Sequence, residues 1–148
     1  MKSDKSRAGF AHEMVMMNLA IFHLLLPVAA LSSGYISTFL SLALIGSAVM
    51  IFLVARKAHQ ENELELVIVH RKLAWKRCRL LLIAYAVSTV IMLIGWLLAT
   101  IQVDQNMFSI MLVVFSRIAA VPIVLAVLIL LVMETTALSQ ARQGIIPD

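Results

Sequence analysis

Apolar residues fall in four long runs separated by polar breaks, and each run is near or above the ~20 residues that a membrane-spanning helix needs. The runs cover residues 14–32, 35–55, 80–101 and 107–133. Between them lie a turn at Ser33-Gly34, a long polar connection from Arg56 to Arg79, and a short polar loop from Gln102 to Asn106. This pattern predicts an all-α integral membrane protein with four transmembrane helices. The short links make antiparallel neighbours of helices one and two, and of helices three and four, giving two hairpins in a single domain over residues 1–148.

The 56–79 connection contains no proline or glycine, which favours helix and predicts that helices two and three extend into the cytosol. It has an acidic end (Glu61, Glu63, Glu65), a mostly apolar middle (Leu64 to Val69) and a basic end (Arg71 to Arg79). Leu64, Val67, Ile68 and Trp75 fall on one side at helical spacing, a stripe that needs cover. Anionic lipid headgroups or another protein would provide it, with Arg71, Lys72, Trp75, Lys76, Arg77 and Arg79 as the docking residues.

Composition agrees with the pattern. Hydrophobic residues make up 62% of the chain and charged residues 14%, against roughly 45–50% and 25% in globular proteins. The net charge of +4 implies no nucleic-acid partner, because the basic residues flank spans, where topology explains them. Of the 12 Lys and Arg, three precede the first run (Lys2, Lys5, Arg7), seven lie in the middle connection and one, Arg142, follows the last run. The other two loops have none. By the positive-inside rule both termini and the middle connection are cytoplasmic, in a bacterial-type inner membrane. Lys2, Lys5 and Arg7 ahead of a run ending in Val28-Ala29-Ala30 also suit a cleavable leader. The run is read instead as a retained first span. No repeat or low-complexity segment is present.

The remaining basic residue, Arg117, is the only one inside an apolar run. Charged groups at membrane depth are costly and mark function by default. Arg117 lies ten residues past Met107, ~15 Å deep, and His23 nine past Met14, ~14 Å deep, both near the middle of a ~30 Å core. Pro27 and Pro122 follow them and leave carbonyls of the preceding turn, those of His23 and Ile118, without an N–H partner. Arg117 and His23, with Asn18 and Ser116, are therefore the candidate partner- or ligand-binding residues within the membrane. Two readings stand for Arg117: internal satisfaction by His23, Ser116 and carbonyls, or an outward face toward a partner's acid, a lipid phosphate, or an anionic or quinone-like ligand. Small residues at Ser37 and Ser41, or Ala43 and Ser47, would let a neighbouring helix approach closely.

Several chemistries lack their residues. A haem between helices needs two facing ligands, and His23 is the only histidine at depth, since His12, His59 and His70 lie outside the spans. No acid is buried in the first span, as small multidrug exporters require, and the single cysteine, Cys78, excludes disulfide exchange and thiolate metal sites. Glu13, Glu134 and Asp104 sit at span edges, so there is no carboxyl chain for a proton pump. The nine methionines suit adaptable packing better than copper. Ser116 has no base beside it for nucleophilic catalysis.

By elimination the chain is expected to be a small non-catalytic accessory or assembly subunit of a larger inner-membrane complex, with other integral membrane subunits as partners. The alternative is a small homo-oligomeric transporter, or a lipid- or quinone-binding protein using Arg117 and His23, for which a homodimer would double the polar inventory. No cofactor or metal is expected beyond a bound lipid or quinone.

Overall fold

The computed structural model describes residues 4–60 and 63–147. Lys2 and Glu61 lie outside the described residues. Among those described, the chain is all-helical: α1 Asp4–Ser33, α2 Ile36–Ala58, α3 Glu65–Thr100 and α4 Gln105–Gln143. All four are long and apolar enough to cross a membrane, as expected of a multi-pass membrane protein. They group into two compact units: residues 1–78 with 129–148, and residues 79–128.

In the first unit α1 turns into α2 at Gly34, whose φ of 78° is left-handed and whose N–H donates to the Ala30 carbonyl, closing the helix as glycine does at this position. The α2 face made by Ala43, Ser47, Ile51, Val54 and Ala58 is buried, whereas Ser37 and Ser41 are exposed. Close approach is therefore achieved along only one of the two small-residue stripes. Gly46 of α2 receives the ring of Phe22.

The middle of α1, Asn18–Leu25, is a π-helix. Leu26 N–H bonds the Ile21 carbonyl, five residues back. In that register the position facing Pro27 is Phe22, not the His23 that α-helical pairing predicts, which is how the helix accommodates a proline near its centre.

Helix α2 does not extend through the connection. It ends at Ala58, where the His59 ring donates from Nδ1 to the Ala55 carbonyl at 2.7 Å and the Gln60 N–H to the Lys57 carbonyl. A side chain closing the last turn stops the helix where no proline or glycine is present. The extension belongs to α3, which starts 15 residues before its apolar span, and also to α1 and α4, each ten residues longer at its polar end than its span.

These three extensions pack together. Ala8, Ala11, His12 and Val15 of α1, Val67, His70, Ala74 and Cys78 of α3, and Leu130, Glu134, Ala137 and Ala141 of α4 are all buried, and in each helix they recur on one face at helical, three- to four-residue spacing. The alanines let the backbones approach closely. The α3 stripe is thus rotated from the one expected: Val67 is shared, Leu64 is exposed, Ile68 and Trp75 are half-buried, and α1 and α4 supply the cover.

The second unit is a hairpin. Asp104 caps α4 by accepting from Asn106 N–H at 2.8 Å. A Cβ on Gly95 would lie 2.3 Å from Phe115 Cβ, so this crossing admits only glycine. Because Phe115 Cβ is tied to its backbone, Gly95→Ala should force the helices apart and cost about 1–3 kcal/mol. Thermal unfolding in detergent is expected to show a lowered midpoint.

Candidate functional site

Glu134 stands in α4 one residue past the last apolar run and is fully buried, with no exposed surface. A buried carboxylate needs both charge compensation and hydrogen bonds. His12 of α1, equally buried, places Nδ1 2.6 Å from Glu134 Oε2. The other nitrogen of His12, Nε2, lies 3.0 Å from Nδ1 of His70 of α3, whose ring is also buried and stands edge-on to it. His70 Nε2 donates to the Ile145 carbonyl at 3.0 Å. From α3, Arg77 donates to the Met133 carbonyl at 2.8 Å and places Nη1 3.4 Å from Glu134 Oε1, an ion pair without hydrogen-bond geometry.

These contacts fix where protons reside. His70 must donate from Nε2, because its partner is a carbonyl. If His70 is neutral, its Nδ1 accepts and His12 donates from Nε2. The His12–Glu134 contact then holds one more proton, on the ring as an imidazolium facing a carboxylate, or on the acid facing a neutral ring. Each of the three hydrogen bonds contains one proton, and the set of two rings and one carboxyl has no net charge.

On the part of α3 that precedes its span, burial lowers the pKa of His70 from its usual 6.5; the Ile145 bond opposes this, and His12 and Arg77 add to it. A histidine held neutral in the folded state favours folding above its ordinary pKa, and this contribution is lost as pH falls below 6.5. Cys78, one turn from Ala74 on the same seam, is buried, and its thiol is pushed up to about 12 by burial and by Glu134. It is an inert thiol at neutral pH.

The docking residues expected on α3 divide into two sets. Arg77 is drawn into the network, and Arg71 pairs with Glu63 at 3.4 Å, a carboxylate that also takes Arg7 of α1. Trp75 is half-buried. Lys72, Lys76 and Arg79, at positions four and three apart, remain exposed on one face with no hydrogen bond or ion pair.

The membrane-depth candidates fall in both units, His23 and Asn18 in the first and Ser116 and Arg117 in the second. In the first unit His23 donates from Nδ1 to the Asn18 carbonyl at 3.1 Å. The Asn18 side chain is buried and its amide has no hydrogen-bond partner. In the second unit Ser116 donates to the Val113 carbonyl of its own helix at 2.8 Å. Arg117 is exposed and makes no hydrogen bond or ion pair. Among the described residues no group of histidine, cysteine and acidic side chains is arranged for a metal.

Compared with protein families, curated proteins and solved structures, the chain matches none.

Removing one member of a buried ion pair costs about 3–5 kcal/mol, more than the pair itself contributes. His12→Leu should therefore destabilise the protein by about that much. Adding Glu134→Leu should recover part of the loss, because the orphaned carboxylate goes with it. A thermal or denaturant unfolding series on the two singles and the double checks the sign of that coupling.

Proposed function

We propose that the protein is a small non-catalytic accessory or assembly subunit of an inner-membrane complex, joined to a partner subunit through the α4 face that carries Arg117. The observation that supports this reading is the exposed, unpaired guanidinium near the middle of an apolar helix. A cation at that depth costs about 2.5–3.5 kcal/mol even on the most lenient insertion scale. Ser116, the nearest hydroxyl, is bonded to its own backbone. A carboxylate on a neighbouring subunit's membrane helix would remove the cost through a charge-assisted, bidentate pair.

The polar end of the bundle adds a second attachment. Lys72, Lys76 and Arg79 form an exposed basic face just before the α3 span, suited to the phosphates of anionic lipid. In this reading both termini and the 56–79 connection face the cytoplasm, an orientation supported by the bias of Lys and Arg toward those segments.

Arg117→Leu separates attachment from folding. Because the guanidinium is exposed and makes no hydrogen bond or ion pair, its loss should change the stability of the isolated protein by no more than about 0.5 kcal/mol. Purification in mild detergent should yield a stoichiometric membrane partner with the wild type and lose it with Arg117→Leu. Wild-type protein that purifies only as a homodimer would favour the transporter reading instead.

Sidedness is tested separately. Reporter fusions after Gly34 and after Gln105 should report the outside of the membrane; cytoplasmic signals at both would reverse the assignment.

A further inference from the structure

We propose that the His12–His70–Glu134 network is a proton-binding site that locks α1 to α3 and α4, and that uptake of one further proton opens it. The inference is independent of the accessory-subunit reading, since it concerns the chain by itself.

Three hydrogen bonds hold three protons, so the network is full. The excess proton has three places to reside: on Glu134, on His12, or on His70 with His12 in its other tautomer. Every bond is kept in each case, and no net charge is added. A fourth proton is different. Placed on His70 Nδ1 while His12 keeps its Nε2 proton, it sets two donors face to face across 3.0 Å. The one acceptor without a hydrogen bond is Glu134 Oε1, and Arg77 faces it at 3.4 Å. Protonating that oxygen would leave an imidazolium and a guanidinium enclosed with no anion, which burial disfavours strongly. The fourth proton is therefore accommodated by separation of His12 from His70.

The surrounding charges do not relieve this strain. From α1, Glu13 is turned to Arg142 of α4 at 3.0 Å on the exposed side, and Lys5 lies beside Gly144. From α3, Arg77 and the un-ionised thiol of Cys78 face Glu134, while Arg71 is held by Glu63. From α2, Lys57 sits over the Phe10 ring of α1 at 4.1 Å. Glu134 is the only acid within the network, so acidification adds positive charge that no neighbour neutralises.

What opens is the outer part of α1. Beyond His12 the segment is held by small contacts at Ala8 and Ala11, by Lys57 of α2 over the Phe10 ring, by Lys5 beside Gly144 and by the partly exposed Arg7–Glu63 pair. These are weak relative to a buried ionic network. The response is thus a reversible release of residues 4–12 on acidification, at the end assigned above to the cytoplasm.

The test is hydrogen–deuterium exchange on the full chain in lipid nanodiscs at about pH 7.5 and about pH 5.5, corrected for intrinsic exchange rates. Peptides covering residues 4–12 should lose protection by about tenfold or more at the lower pH and regain it on return. Residues 105–120, in the other unit, serve as the reference and should not change. His70→Gln keeps an acceptor for His12 and a donor for the Ile145 carbonyl but takes up no proton, so it should stay protected at both values. Equal protection of residues 4–12 at both values in the wild type overturns the proposal, as does an undiminished acid response in His70→Gln. Should that variant fail to fold, imidazole NMR of the wild type decides. Titration of the His70 ring in step with the loss of protection supports the lock, and titration without it refutes it.

Discussion

A carboxylate with no exposed surface sits where three helices leave the apolar region, and the arrangement of the first unit follows from how Glu134 is kept there. An ion of this kind in a dry interior costs several kcal/mol after relaxation, and no single partner recovers that. His12 supplies a bond from α1, Arg77 a charge from α3, and His70 fixes the tautomer of His12 while reaching the Ile145 carbonyl. The network therefore contributes less to net stability than to specificity. A shift of α1, α3 or α4 by one residue along its seam would replace His12 by Ala11 or Glu13, or Glu134 by Met133 or Thr135, and strand the rest. Alanine-lined seams slide easily; a buried ionic network on the same seam does not.

The two units handle charge in opposite ways. In the first, Glu63, Glu134, Arg7, Arg71 and Arg77 are all paired within the chain. In the second, the only charge within the apolar span, Arg117, is unpaired and exposed. The first unit pairs its buried ions within the chain, whereas the second leaves this guanidinium open in its apolar span. Within its own unit Arg117 has no hydrogen-bond or ion-pair partner. Ser116 does not help, because a hydroxyl within a helix bonds most readily to its own backbone three or four residues back.

The four spans were legible because a run of about 20 apolar residues has few alternatives to a membrane helix. The extent of α3 was also legible, from a segment without breakers, yet the same criterion misjudged α2. Its end depends on the His59 ring reaching the Ala55 carbonyl, a local competition that composition does not reveal. The buried network was missed for a different reason. His12, His70 and Glu134 each lie outside the apolar runs, where polar residues are ordinarily solvated, so position argued for exposure. A signal was present all the same: His12 continues the spacing of Ala8 and Val15, His70 that of Val67 and Ala74, and Glu134 that of Leu130 and Ala137. Three ionisable residues on three seams of small apolar residues mark a polar layer in a helical bundle. Seeing it required treating the polar ends as packed helices instead of as loops.

The π-helical stretch in α1 makes the two demands on that helix compatible. At its polar end α1 must direct His12 between α3 and α4, and further along it must direct Phe22 into the gap left by Gly46 of α2. A five-residue hydrogen-bond register over Asn18–Leu25 reorients the following residues and places Pro27 where its missing N–H is tolerated. Within this stretch the Asn18 amide is buried without a partner, and its backbone carbonyl accepts from the His23 ring. At this depth in the apolar run His23 supports the π-helical backbone, its ring held on the carbonyl of the residue that opens the stretch.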